Sequence, residues 1–187
     1  MKTKKAYFAI LTSLSMFLFS CGGGNQETTT AVEEIPAGGG QSSVQDDVSQ
    51  KDVVRVAVGS PDHTTLVTAL QTAEYVDVLA NAGPFTVFAP TNAAFNLLPA
   101  GTVEGLLKPE SKDALRNILE YHVAVGVYKL ENLKDGQTIN QVNLDNVVIA
   151  IKDGKYTVNG ANILGTVPAS NGIVYVVDAV LLPPAKK

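Results

Sequence analysis

The chain has one cysteine, Cys21, and two histidines, His63 and His122. A lone thiol closes no internal disulfide, so a domain carried outside the cytoplasm must hold together by its core. Neither histidine stands in an HxH or HExxH pattern or beside a cysteine, and a closed zinc site needs such a set, so no metal is expected. The G-x-S-x-G elbow, the G-x-x-x-x-G-K-[ST] phosphate loop and a dinucleotide glycine pattern are also missing. The triplets Gly22–Gly24 and Gly38–Gly40 follow no strand. No cofactor and no catalytic residue is therefore predicted. Basic residues are few: the formal charge is −4, and without Lys2, Lys4 and Lys5 the 14 Lys and Arg become 11 against 18 acidic residues, or −7. Such a chain, with no Lys/Arg cluster, repels phosphate, which excludes nucleic acid as a partner.

The uncharged apolar run Ala6–Phe19 spans 14 residues, short of the roughly 20 that a membrane-crossing helix needs. Preceded by the three lysines, it has the proportions of a secretory signal, here residues 1–20. Leu18-Phe19-Ser20-Cys21 closes it and resembles a bacterial lipobox. That resemblance implies a lipid on Cys21, which becomes the mature N-terminus and anchors the chain to a membrane. From Gly22 to Lys51 the composition is Gly, Thr, Ser, Gln and acidic residues with no aromatic side chain, too little apolar surface to repay ordering. Residues 21–51 are read as the lipidated Cys and a disordered tether. As a coil of 30 residues the tether spans roughly 30 Å. Glu33-Glu34 and Asp46-Asp47 are solubilising charge in that setting.

Residues 52–184 carry the folded pattern and are long enough for a core, since a domain of about 150 residues buries roughly 68–70% of its unfolded surface. Val53–Val58 reads as strand or helix. Thr64 or Thr65 is expected to cap a helix with Leu66, Ala69, Leu70 and Ala73 on one face, continuing through Val76, Val78 and Leu79 to a stop at residues 81–84. Phe85, Val87 and Ala89 alternate with Thr86 and Phe88, the period-2 pattern expected of a strand, which Pro90 ends. Thr91 and Asn92 are cap candidates for a short helix through Phe95 and Leu98.

Short helical pieces follow, and then the clearest helix, Ser111 to His122, with Leu115, Ile118, Leu119 and His122 on one face. The His122 imidazole is thus expected to point into the core, where its nitrogens need partners. Tyr121, offset by about 100°, falls at the edge of that core. Beyond Gly126 the pattern becomes β: residues 147–151, 156–158, 163–164 and 173–182. Asp153-Gly154 and Asn159-Gly160 are hairpin turns, because both central residues need positive φ. Asp145, Asp153 and Asp178 could form an acid pair only through tertiary contacts; Asp153 is explained by its turn and Asp178 by a strand rim. Helices first and mostly antiparallel strands later argue for an α+β fold.

Three segments resemble the fasciclin domain. The first is the strand followed by Ala89-Pro90-Thr91-Asn92 and Ala93-Ala94-Phe95, a signature box that includes Phe88. The second is Tyr121-His122, and the third is Asn171 through Pro183. The resemblance implies helix for Val53–Val58 and helices packed on a mostly antiparallel wedge of sheet. It also implies a non-catalytic adhesion or interaction module with a protein or extracellular-matrix or glycan partner, and Tyr121 and His122 as a motif that either binds or holds the fold. Tyr175 stands where the family often has His, so no role of that His carries over. The alternative is a small-molecule- or glycan-binding, or hydrolytic, accessory lipoprotein with a pocket between helices and sheet. Either way the expected location is bacterial and extracytoplasmic, periplasm-facing or cell-surface, with oligomeric state left open.

Overall fold

Asp52 starts the first helix, its Oδ1 accepting a 2.8 Å hydrogen bond from the Arg55 amide, the contact an N-cap carboxylate supplies. The computed structural model describes residues 50–184; the signal segment, Cys21 and all but the last residues of the inferred tether lie outside the described residues. Helix α1 is Val53–Val58, burying Val53, Val54 and Ala57, so the strand-or-helix ambiguity resolves to helix.

Helix α2, Thr64–Thr72, buries Leu66, Ala69 and Leu70, but two expectations for it are corrected. Neither Thr64 nor Thr65 is its cap: His63 holds that position and makes no capping bond. The helix also does not run on through Val76. It closes in a Schellman turn, with Tyr75 N donating to Leu70 O at 2.9 Å and Glu74 N to Gln71 O at 3.1 Å, and Glu74 takes the left-handed conformation at φ 52°. The reversal buries the Tyr75 ring, with the Arg116 guanidinium 5.3 Å from its centre. Helix α3, Val76–Ala80, then leads toward strand β1, Phe85–Pro90.

Helices α4 (Asn92–Asn96), α5 (Thr102–Leu106) and α6 (Lys112–Tyr121) follow. The strands are β2 (Val123–Val125), β3 (Thr138–Asn140), β4 (Asn146–Lys152), β5 (Lys155–Val158), β6 (Ala161–Ala169) and β7 (Gly172–Val177). Their order in the sheet is β2-β1-β7-β6-β5-β4-β3. Only the β1–β7 pair is parallel among these neighbours. The fold is α+β.

Strand β1 is buried on both faces rather than one, which is why its sequence reads as a nearly continuous apolar run. Val87 and Ala89 pack with Leu66, Leu70, Leu79, Leu115 and Leu119 of the helices. Phe88 turns to a second core with Ile139, Ile149, Val158, Tyr175 and Val177. The sheet curls around this second core, and its two edges meet where Val142 N donates to Val123 O at 2.8 Å.

Strand β2 precedes Gly126 and β3 lies in a segment with no strand pattern of its own, so both escaped the sequence reading. Strand β6 is longer than residues 163–164. Strand β7 stops at Val177 instead of running to Leu182, because Asp178 turns the chain: its carboxylate accepts the Asn162 amide at 2.7 Å and Asn162 Nδ2 at 2.6 Å. Both hairpin turns form, with Asp153 and Gly154 at φ 52° and 73° and Asn159 and Gly160 at 47° and 87°. At Gly172 the constraint is a close approach: a Cβ there would lie 2.1 Å from the Phe85 carbonyl oxygen across the parallel pair.

Candidate functional site

The polar side chains of the signature segments are joined to the rest of the fold. Thr91 caps α4, its Oγ1 accepting from Ala94 N at 3.2 Å. Asn92, the other cap candidate, opens the first turn of α4 and caps a different helix. Its Oδ1 accepts from Thr65 N at 3.0 Å and Thr64 Oγ1 at 3.2 Å, and its Nδ2 donates to Pro61 O at 3.0 Å. One side chain thereby fixes the start of α2 against the end of β1. Phe88 is fully buried and stacks on Tyr175 with ring centres 5.8 Å apart, while the Tyr175 hydroxyl donates to the Tyr128 carbonyl. Burial and the nearby Glu131 push that phenol up to about 12.

His122 ends α6 and is only 3% exposed. Its Nδ1 lies 2.8 Å from Ile118 O, which can only accept, and its Nε2 receives the Leu181 amide at 3.0 Å. The two partners select the neutral tautomer with hydrogen on Nδ1. Burial holds its pKa down at about 4, with the Ile118 carbonyl pulling the other way. Tyr121 is 2% exposed, a correction to its expected place at the edge of the core: it packs among Ala124, Val147 and Val158 in the second cluster. Its hydroxyl donates to Asn146 O at 3.0 Å and accepts from Asn159 Nδ2 at 2.7 Å. The pair thus looks two ways, His122 toward the closing segment and Tyr121 toward the β4 and β5 ends.

Three further polar side chains act as anchors, a role the sequence did not assign to them. Thr86 is fully buried; its Oγ1 donates to Gly126 O at 2.7 Å and accepts from Tyr128 N at 3.0 Å. Its signal was a polar residue within an apolar strand. Asn171 joins three elements: Oδ1 accepts from Val53 N at 2.9 Å, and Nδ2 donates to Leu79 O at 2.7 Å and Asn81 O at 2.9 Å. His63 is buried, with Nδ1 2.8 Å from Ser60 Oγ and, among the described residues, no partner in good hydrogen-bond geometry at Nε2. Burial lowers its pKa, against the opposing pull of the Ala89 carbonyl and Asp62.

Residues of all three segments meet at an apolar groove between α4, α5, α6 and the stretch after β7. Pro90 and Phe95 come from the first box, His122 from the second, and Val180 and Leu182 from the closing one; Leu98, Leu106 and Ile118 complete much of the wall. The groove is shallow, with a cavity volume of about 20 Å³, and its exposed wall is apolar throughout. Among the described residues no group of three or more His, Cys, Asp and Glu is placed to hold a metal ion. Asp145 bonds Asn143 and Asp178 bonds Asn162, so these carboxylates do not form an acid pair with each other. The arrangement can bury apolar surface against a partner, and it presents no nucleophile aimed into the groove.

A model of the fasciclin domain matches residues 61–183. Protein sll1483 of Synechocystis is 46% identical over 137 residues, covering 73% of this chain and 76% of that protein. The cell surface glycolipoprotein MPB83 of Mycobacterium bovis is 38% identical over 144 residues, covering 74% of this chain and 64% of its own. In fold the chain is similar to a solved FAS1 domain pair from the insect cell adhesion molecule fasciclin I, at a TM-score of 0.64 and 21% identity. That match covers 71% of this chain and about half, 51%, of the insect chain. With the three segments in order, the sheet and helices they build, and a family match over most of the described residues, this chain belongs to the fasciclin domain family.

Proposed function

We propose that the chain is a non-catalytic interaction module: a fasciclin domain held outside the cytoplasm by a lipid on Cys21 and presented to protein or matrix partners. One observation carries this reading. The polar side chains of the signature segments, Thr91, Asn92, Tyr121, His122 and Asn171, are engaged in bonds within the fold, while the surface they leave open at the groove is apolar. Chemistry needs a reactive group facing its substrate, whereas docking needs a shaped surface. The small-molecule or hydrolytic alternative calls for polar groups converging in a pocket, and the groove wall offers none. The name of MPB83, a cell surface glycolipoprotein, supports an extracytoplasmic placement by similarity.

The test is proximity labelling from the intact cell surface with the lipoprotein as bait, repeated with Cys21→Ser. Recovery of a reproducible partner by the wild type, lost with the anchor and restored when the soluble protein is added back at high concentration, is the expected result. A turnover activity that co-purifies with the domain through several steps would overturn the reading.

A further inference from the structure

Phe95, Leu98, Val103, Leu106, Val180 and Leu182 line the groove. Leu97, next to Leu98, is 75% exposed and Leu182 is 53% exposed. From Val78 to Val103 the sequence contains no charged residue. His122, the one imidazole in the wall, has both nitrogens bonded inside the fold. A protein interface ordinarily sets an apolar centre within a polar rim, at about one hydrogen bond per 100–200 Å². Here the centre is present and the wall exposes no polar surface. A hydrocarbon surface asks for none.

The chain outside the described residues adds a second observation. On the lipid-anchor reading Cys21 carries acyl chains, and the 30 residues 22–51 separate it from the first helix, a length that a flexible chain spans at roughly 30 Å. A bilayer is then always within reach of the domain, at the high effective concentration that a short flexible link confers. We propose that the groove face, led by Leu98 and Leu182 with the exposed Leu97 at the neighbouring position, rests on the acyl-chain layer of the membrane that holds the chain's own anchor. The inference depends on the lipid-anchor reading above and narrows what the groove docks on from a protein or matrix partner to the lipid surface itself. Without its leader lysines the chain carries a net charge of −7, so the contact is apolar, does not require anionic lipid, and survives salt. Apolar faces of this kind settle about 5–10 Å into the headgroup and acyl boundary.

The experiment uses the mature lipoprotein in phosphatidylcholine vesicles, its Cys21 thiol occupied by the lipid. A bimane fluorophore is placed on Leu97→Cys, on Leu182→Cys, or on Lys155→Cys, an exposed control on β5. Flotation reports the anchor, and quenching by lipids spin-labelled high on the acyl chain reports the face. We expect all three proteins to float, with quenching at 97 and 182, none at 155, and no loss of quenching at high salt. Flotation with 97 and 182 unquenched overturns the inference and leaves the anchor standing. Failure to float overturns both. Shielding of position 97 from aqueous iodide without spin-label quenching assigns the face to a protein partner or a second copy, and also overturns it.

Discussion

The Leu181 amide donates a 3.0 Å hydrogen bond to Nε2 of His122, 59 positions earlier in the chain. This bond attaches the segment that leaves the sheet after β7 to the end of α6, and it makes the imidazole a bridge rather than a free base. His122→Ala removes the acceptor, strands a buried amide and leaves a cavity, so it should cost about 2–4 kcal/mol. The check is a lower urea midpoint at unchanged denaturant slope. An unchanged midpoint would mean the segment holds without the bridge.

The same imidazole makes stability depend on pH. Its folded pKa of about 4 lies below the unfolded value of 6.5, so between those values the unfolded chain binds more protons. Stability is therefore full above about pH 6.5 and falls as pH drops toward about 4, by at most about 3 kcal/mol from this group. His63, also lowered by burial, acts in the same direction. Urea unfolding at pH 7, 6 and 5 should show this decline, and His122→Ala should flatten much of it. A profile that is level in the wild type would contradict the buried neutral imidazole.

Asn92 supplies a cap to a helix 27 residues upstream. Asn92→Ala should cost about 1–2 kcal/mol by leaving the first turn of α2 uncapped. Asn92→Asp keeps the acceptor and loses only the donor to Pro61 O, so it should fall between the two in melting temperature. Equal loss from both substitutions would show that the Pro61 contact, not the cap, is what matters.

Two glycines should fail for different reasons. Gly172→Ala drives a Cβ into the Phe85 carbonyl at 2.1 Å, and separating β1 from β7 should cost about 3 kcal/mol. Gly154→Val meets no atom within 4 Å but sits at φ 73°, so its cost should be the smaller, about 1–2 kcal/mol from backbone strain. Chemical denaturation of the two variants compares them directly; the reverse order would mean that β1 and β7 can part cheaply.

Patterns short in sequence were legible. The helical face of α6 placed His122 in the core because four residues repeat at the helical period, and the two turns announced themselves through Asp153-Gly154 and Asn159-Gly160. The resemblance of three segments indicated the family and the α+β class. What stayed hidden depended on tertiary partners. No local signal says that Asn92 caps α2 rather than α4, that Glu74 takes a left-handed conformation to bury Tyr75, or that Asp178 ends β7 by binding Asn162. Tyr121 was placed at an edge because a helical wheel has one core, whereas this helix ends between two. The groove was invisible for the same reason: its wall gathers residues from Thr65 to Leu182.

The central claim is that the polar atoms of Tyr121 and His122 are spent on bonds within the fold and are not offered to a partner. The most direct measurement is partner capture per folded molecule by the intact chain and its His122→Ala variant, with the melting temperature of each recorded alongside. The account predicts a lower melting temperature and capture per folded molecule largely kept. A variant that melts like the wild type yet captures nothing would show that the pair is a recognition site, contradicting the account.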